Sequence, residues 1–203
     1  PGMDSFDSAA FASKDLFSRR AELEDATGAP VRFGWYVRMD PHVKALYGNS
    51  AVIAERYSRQ FEEAALAGDE IGLHIHSFDR DKHGEWRANY TDHNLVEDAI
   101  ETSVASFRAF FGRECRSARM GDMWTSSQCV AKLETLGVKY DITPESGLRP
   151  LRMAAHYPGT KSLGRRPSML HVPSTPYQPD LANFRRPGVG QKRDIWIIPV
   201  TSG

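Results

Sequence analysis

Hydrophobic positions follow two spacings along the chain, and segments with the two spacings alternate up to about residue 142. Spacing of three to four residues, typical of one helix face, predicts α-helices over residues 8–26, 51–67, 92–111 and 127–136. Short segments rich in β-branched and aromatic residues predict strands over 31–37, 71–76, 115–120, 138–142, 169–173 and 195–200. Polar or Pro-rich stretches predict loops over 79–90, 149–168 and 174–190.

The alternation of strands and helices is typical of an α/β domain with a parallel sheet and crossover helices. Such sheets carry their functional sites at the carboxyl ends of the strands. Gly68 predicts the end of the second helix, because glycine adopts the left-handed conformation of a helix C-terminus without steric cost. The strand that follows Gly68 therefore has a defined start, and a functional site is expected at its carboxyl end.

The composition is that of an ordinary soluble globular domain. The chain has 203 residues, 40% of them hydrophobic and 26% charged, which suits one α/β domain. No apolar run approaches the roughly 20 residues of a membrane span. Cys115 and Cys129 are too few for a disulfide framework, so we expect free thiols in a reducing compartment, the cytoplasm. Nothing in the composition predicts a nucleic-acid partner.

Two histidines, His74 and His76, lie at the outgoing end of the strand after Gly68. Because side chains in a strand alternate with a period of two, both imidazoles are expected on the same side. Two imidazoles that reach a common point form half of a site for a divalent metal ion, with zinc, cobalt, nickel or manganese as candidates. The alternative is that each histidine is only hydrogen bonded and half buried; the spacing favours the metal.

Charge is unevenly distributed, although the net charge is zero. Between residues 149 and 193 there are nine lysines and arginines against one acidic residue, Asp180. This segment could face an anionic ligand, and a solvated basic loop surface is the equally weighted alternative. Arg149, at the start of the segment, is a candidate for substrate binding.

Several segments occur in an order that resembles one known family. They are an aromatic strand over 31–37, the run Gly-Asp-Glu-Ile-Gly-Leu-His over 68–74, an arginine with Met120-Gly121 after it, and Leu-Gly-Val-Lys-Tyr-Asp over 136–141. Residues 170–173 and 197–200 add Val-Pro and Ile-Pro strand ends. This order is similar to the polysaccharide deacetylases with the NodB homology fold. The resemblance covers most of the chain and implies a distorted (β/α) barrel.

The chain also departs from the pattern of that family. The family places its second histidine four residues after the first, where this chain has Phe78, so His76 is the candidate ligand and His83 a weaker one. The family's first motif, a strand ending in paired aspartates, and its last, a strand with a late histidine, have no counterpart here. We therefore expect a single domain over 1–203 that is truncated at both ends. A third metal ligand is expected upstream, with Asp4 and Asp7 as weaker candidates.

The resemblance also implies roles near the metal. Arg119 is a candidate for orienting a catalytic carboxylate through a bidentate pair, against the alternative of an ordinary salt bridge. Asp122 is a candidate acid near the site. Trp124 could present an aromatic face to a sugar, although an aromatic that fills the core is the commoner case.

Three functions are compatible with these features. The first, implied by the resemblance, is a metal-dependent hydrolase that removes an acetyl or other N-acyl group from a polysaccharide or a related amide, with a carbohydrate partner that could be anionic. The second is another metallohydrolase of barrel type, where His-x-His also binds metal. The third is a noncatalytic carbohydrate-binding module that kept the fold and lost the acids.

Overall fold

The computed structural model describes residues 7–152 and 162–200. Its helices are α1 (Asp7–Thr27), α2 (Pro41–Tyr47), α3 (Val52–Arg56), α4 (Ser58–Leu66), α5 (His93–Phe111) and α6 (Ser127–Thr135), with a short 3-10 helix at Gly121–Met123. Its strands are β1 (Gly34–Val37), β2 (Glu70–Ile75), β3 (Phe78–Arg80), β4 (Trp86–Ala88), β5 (Ser117–Met120), β6 (Tyr140–Asp141), β7 (Leu151–Arg152), β8 (Arg165–Arg166) and β9 (Trp196–Ile197). The predicted α/β class is confirmed.

Five strands form a parallel sheet in the order β1-β2-β5-β6-β9. The crossovers from β1 to β2, from β2 to β5 and from β5 to β6 run through helices, as the alternating pattern predicts, whereas the described part of the connection from β6 to β9 contains β7 and β8 and no helix. Among the described residues β1 and β9 are the outermost strands of the sheet, Ile197 of β9 also pairs with Tyr177 in an antiparallel bridge, and closure into a distorted barrel remains a prediction. The carboxyl ends of β1, β2 and β5 lie side by side, which brings together the segments that follow them.

The two faces of this sheet differ in character. On β2, the side chains of Ile71, Leu73 and Ile75 are at most 2% exposed and belong to the main hydrophobic core, which also includes Ile100 and Phe107 of α5. The alternate positions carry Glu70, Gly72 and His74. Burial of the apolar face stabilises the sheet, while the opposite face keeps polar side chains along its length.

The structure differs from the predicted elements in several places, one of which is the predicted loop over 149–168, where β7 and β8 pair antiparallel. Residues 51–67 form two helices rather than one, because Tyr57 leaves the helical conformation (φ −114°, ψ 26°) with its side chain buried in the core. Helix α2 was not predicted. The 79–90 segment is not an irregular loop: it contributes most of an antiparallel hairpin, β3–β4. The predicted strand over 169–173 is wrong, since the backbone turns there while Met169 and Val172 stay buried.

The two cysteines, Cys115 and Cys129, are both buried free thiols, as predicted. Burial raises the pKa of the Cys115 thiol to about 12, so it stays protonated and unreactive at neutral pH. Among the described residues, no helix combines the length and the apolar character that crossing a membrane requires.

Candidate functional site

The two histidines at the end of β2 meet at one point. His74 is the fifth residue of β2 and His76 follows the strand, and their Nε2 atoms are 2.9 Å apart. Their ring centroids are 4.7 Å apart with an interplanar angle of 73°. Burial, followed by the charges of His76 and Arg38, lowers the pKa of His74 to about 3, so this imidazole is neutral at neutral pH. The strand period correctly predicts that both rings share one side.

The second nitrogen of His76 faces a carboxylate. His76 Nδ1 is 3.4 Å from Asp122 Oδ2, and the Asp122 side chain is only 3% exposed. Asp122 Oδ2 also accepts a 2.6 Å hydrogen bond from the hydroxyl of Tyr90. The Nδ1 atom is buried and makes no hydrogen bond within the described residues, and the Asp122 carboxylate is a charged group beside it.

The backbone that presents Asp122 has an unusual conformation. Asp122 and Met123 both have positive φ, 56° and 53°, inside the short 3-10 helix that follows β5. Positive φ is uncommon in residues other than glycine and costs about 1 kcal/mol each. Gly121, just before them, lies under the His76 ring, and an added Cβ would come within 2.3–2.5 Å of three ring atoms. This turn therefore both makes room for His76 and aims a carboxylate at it.

A second carboxylate, Asp40, was missed from the sequence. It follows β1, is 0% exposed, and its Oδ2 accepts a 3.3 Å hydrogen bond from the backbone amide of His76. Arg38 binds it through two contacts of 2.9 and 3.0 Å, and Val43 N donates to it as the N-cap contact of α2. Asp-Pro after a strand is an N-cap signal, and this signal could have found both the helix and the buried carboxylate.

Arg119 lies beside His74 in the register of β2 and β5. Its carboxylate partner is Glu145, with Nη2 3.1 Å from Oε1, and the Glu145 side chain is 12% exposed. The pairing is a single contact rather than the bidentate pair expected, and it does not involve Asp122. Glu145 follows β6, so it is another carboxylate near the carboxyl edge of the sheet that sequence patterns did not single out.

An aromatic cluster lies beside the pair. His42 stacks on Phe78 at 4.3 Å and meets the edge of Trp86 at 4.5 Å, while Phe78 lies 5.4 Å from His76. Burial and the adjacent Arg38 guanidinium lower the pKa of His42 to about 4, and its Nδ1 lies 3.1 Å from Arg38 Nη2. Phe78, four residues after His74, thus contributes a ring that packs against His76.

The other predicted residues lie at varying distances from this centre. Trp124 stacks on Tyr90 at 4.9 Å and is 6% exposed, so one ring face is covered and a sugar-stacking role remains a prediction for its accessible edge. Arg149 is exposed, and its carbonyl accepts from Arg166. His83 is exposed in the hairpin turn.

The two weaker candidates for the third metal ligand are not tested by the structure. Asp4 lies outside the described residues, and the side chain of Asp7, at the start of α1, is not described.

The described residues bring the two predicted metal ligands, His74 and His76, to a hydrogen-bonding distance of each other. The converging Nε2 atoms and the carboxylate behind His76 match the way proteins hold imidazole ligands. Within residues 7–152 and 162–200 no group of three or more histidine, cysteine or acidic side chains is placed to hold an ion. Asp40, the buried carboxylate beside His76, has both of its oxygens engaged by Arg38 and backbone amides. The two imidazoles fit a metal ion, and a third ligand is not among these residues.

Comparisons with known proteins do not assign this chain to a family. No family model matches the chain, and no curated protein matches it. A solved structure that does match is the crystal structure of a "putative polysaccharide deacetylase" from Mycobacterium smegmatis, at 14% identity and a TM-score of 0.48. The match covers 90% of this chain and 44% of that chain, so the chain spans less than half the length of this neighbour. At this distance the likeness assigns no activity, which has to come from the residues.

Proposed function

We propose that the protein is a metal-dependent hydrolase that removes an acetyl or other N-acyl group from a polysaccharide or a related amide. The observation that supports this proposal is the convergence of His74 and His76 at 2.9 Å with Asp122 behind the second ring. The similarity of residues 68–74 and 136–141 to the NodB motifs points to the same reaction class. A distorted barrel that extends the five-stranded sheet is part of this proposal.

His74 and His76 would hold the divalent ion through Nε2, with zinc the first candidate and cobalt, nickel or manganese the others. When bound, such an ion polarises an amide carbonyl and lowers the pKa of a coordinated water. The chain's own contribution is a neutral His74, since burial keeps its pKa low and leaves one of its two ring nitrogens without a proton at neutral pH.

Asp122 acts in this proposal as a positioning residue rather than as an acid. It faces His76 Nδ1 and accepts from Tyr90, so it fixes the orientation of the ring and favours the tautomer with the proton on Nδ1. That tautomer leaves Nε2 of His76 as the available donor to a cation. The predicted role of Asp122 as a catalytic acid is therefore replaced by a role behind the imidazole.

Glu145 is the carboxylate that Arg119 orients, and it is the strongest candidate for holding a proton during the reaction. The Arg119 contact at 3.1 Å keeps the carboxylate in place beside the strand that carries His74. A carboxylate near a polarised amide can accept a proton from water and pass it to the leaving amine. Arg119 keeps its predicted role, with Glu145 as the partner.

The experiment measures zinc content and acetate release in parallel. Wild type, His74→Ala and His76→Ala are purified, loaded with zinc, desalted and assayed for bound metal, and acetate release is followed on an N-acetylglucosamine oligomer. His171→Ala, which removes an exposed histidine, is the matched control. We expect wild type and control to retain zinc and both site variants to lose most of it together with acetate release. Equal zinc in all four proteins would overturn the proposal.

A second candidate is a noncatalytic carbohydrate-binding module. The lack of a third ligand among the described residues favours it. It predicts that zinc-loaded protein binds the oligomer without releasing acetate, and that the two histidine variants bind the oligomer as well as wild type does. The predicted cytoplasmic location belongs to either proposal and depends on the two free thiols.

A further inference from the structure

A cavity of about 380 Å³ opens beside the candidate site. It lies between the start of α6, strand β8 and the segment 182–185, and no aspartate or glutamate lines it. The polar and aromatic residues around it include Trp124, Ser126, Ser127, Arg165, Asn183 and Arg185. Two cations with no acid in the lining give this cavity a positive potential.

The two lining arginines differ from their neighbours in having no carboxylate partner. Arg186 pairs with Asp180 at 3.9 Å, and Arg193 pairs with Glu134 at 2.7 Å. Arg165 and Arg185 form no ion pair with an acidic side chain in the described part of the chain. The Nε atom of Arg185 is buried and has no hydrogen-bond partner. A buried donor of this kind costs free energy unless an acceptor reaches it, so the cavity is poised for an acceptor-rich group.

Two hydroxyl groups add donors to the same cavity. Ser126 Oγ accepts from Cys129 N at 3.1 Å, and Ser127 Oγ accepts from Phe184 N at 3.1 Å. Because each oxygen already accepts from an amide, its own hydrogen remains available to donate. Hydroxyls and guanidinium groups together recognise a carboxylate or a phosphate better than a neutral hydroxyl.

The cavity is joined to the histidine pair by direct contacts. Trp124 lines the cavity and stacks on Tyr90 at 4.9 Å. Tyr90 donates to Asp122, which in turn faces His76. On the other side, Arg166 next to Arg165 donates to Met123 Sδ at 3.7 Å and ties β8 to the turn that carries Asp122. Trp124, Tyr90 and Asp122 therefore connect the wall of this cavity to the histidine pair through packed side chains.

We propose that this cavity binds an anionic group, a carboxylate or a phosphate, carried by a sugar. Arg165 and Arg185 supply the positive charge, and Ser126 and Ser127 supply hydrogen bonds. Its role as a subsite for the substrate rests on the proposed function, whereas the binding of an anionic sugar does not. The basic segment over 149–193 then acts through these two arginines, since several of its other cations are engaged within the fold.

Binding is tested on metal-free protein, so the result does not depend on catalysis. Glucuronic acid, glucose 6-phosphate, inorganic phosphate and neutral glucose are titrated separately while the arginine Nε–Hε signals are followed by NMR. The first two sugars separate a carboxylate from a phosphate. Arg165→Gln and Arg185→Gln remove the lining charges. Arg186→Gln is the matched control, because it removes a neighbouring charge that lies outside the lining.

We expect at least one anionic sugar to bind with a shift of the Arg185 Nε–Hε signal, and glucose to bind at least about tenfold more weakly. Each lining variant should weaken binding of the anionic sugar by about tenfold, and the control variant should weaken it by less than about twofold. Raising salt from about 0.05 M to about 0.5 M should weaken binding further.

Three results would overturn the proposal. They are equal binding of glucose and both anionic sugars, equal affinity in the lining and control variants, and binding of inorganic phosphate as tight as that of either sugar. Anionic-sugar binding without any acetate release would support the cavity and count against the hydrolase, so the two failures are distinguishable.

Discussion

At the scale of single residues, the site depends on how the turn after β5 presents one carboxylate. Asp122 adopts a left-handed backbone conformation and places Oδ2 at 3.4 Å from His76 Nδ1. Strain of this kind persists only where the surrounding structure holds it, and here Tyr90 and the buried Gly121 do so. Asp122 lies two residues after β5, and this position in the sequence does not indicate the left-handed backbone that turns its carboxylate toward His76.

Asp122→Asn tests whether this carboxylate positions the imidazole. Loss of the charge behind His76 should lower zinc affinity by about 10- to 100-fold, as losing an outer carboxylate typically does. The thermal unfolding midpoint should change little, since the amide keeps its shape and can still accept from Tyr90. Zinc affinity is measured by competition with a chelator, with exposed Asp98→Asn as the control. Unchanged zinc affinity would remove Asp122 from the site.

Gly121→Ala tests the close approach under the ring. The new methyl group would lie within 2.5 Å of His76 ring atoms, so the imidazole has to move. We expect loss of most bound zinc and acetate release in a protein that still unfolds cooperatively. Gly84→Ala is the control, because that position is strained by its φ of 81° but has no atoms near an added Cβ. Zinc retention equal to that of Gly84→Ala would contradict the described packing.

The residue pattern predicts part of this site and not the rest, for a physical reason. A period of two within one strand places His74 and His76 on one side, and that inference needs only local geometry. The partners Asp40, Glu145 and Asp122 come from three other segments, brought together by strand order. Strand order is a tertiary property, so local reasoning offered only the position of Asp122 beside Gly121 and the N-cap signal at Asp40, and nothing for Glu145.

At the scale of elements, helix α1 is attached to the sheet by one buried ion pair. Arg20 contacts both oxygens of Asp69 at 2.8 and 2.6 Å, and Asp69 also accepts from Phe33 N and Trp35 Nε1. Burial acts to raise the pKa of Asp69, but these hydrogen bonds outweigh it and leave the pKa below its usual value. The carboxylate thus fixes α1, the segment before β1 and the start of β2 together.

Asp69→Ala should destabilise the protein by about 3–5 kcal/mol, because it leaves Arg20 and the Trp35 indole without their buried acceptor. Urea unfolding measures the free energy of unfolding. Asp15→Ala is the matched control: it removes the exposed pair of Asp15 and Arg19 on the same helix, and it should cost less than about 0.5 kcal/mol. Equal effects of both substitutions would mean that the buried pair does not hold α1.

Long elements were predictable from periodicity, whereas of the short ones β6 and β9 fall within the predicted strands over 138–142 and 195–200, and α2 and the hairpin β3–β4 were missed. Helix α5 repeats its apolar stripe over five turns, so periodicity identifies it and Asp92 and Gly112 mark its two ends. Strands β6 and β9 have two residues each, and the hairpin β3–β4 has three-residue strands whose aromatics pack on His42. Such elements are too short for a periodic signal, and neighbouring segments decide whether they form.

At the scale of the whole molecule, the sheet separates stability from chemistry. Register places Leu73 beside Ala118 and Ile75 beside Met120, all buried on one face, whereas His74 lies beside Arg119 on the other. Burial of the apolar side chains of the first face away from water stabilises the fold. The second face can therefore carry polar groups without a loss of that stability. His74 and Arg119 of the candidate site therefore lie on the face opposite the core and do not interrupt its packing.

One carboxylate, that of Asp141, is buried in the core rather than placed on the polar face of the sheet. Asp141 in β6 is 0% exposed, its Oδ1 accepts from the amide and hydroxyl of Thr143, and its Oδ2 has no hydrogen-bond partner. Burial raises its pKa from 3.8 to about 6, against the opposing effect of the Thr143 contacts. A raised folded-state pKa means that the protonated form is favoured by folding. The stability that protonated Asp141 contributes is therefore fully present below about pH 4 and is lost as pH rises through about 6.

Asp141→Asn should therefore stabilise the protein at neutral pH and not in acid. The asparagine oxygen keeps the Thr143 contacts, and its amide carries no charge to bury. We expect the variant to gain about 1–3 kcal/mol over wild type near pH 8 and almost nothing near pH 4, with the gain developing between about pH 4 and pH 6 and constant above that. Free energies of unfolding are measured in urea across this range, with exposed Asp25→Asn as the control. A constant difference between variant and wild type at every pH would show that Asp141 does not titrate in the folded core.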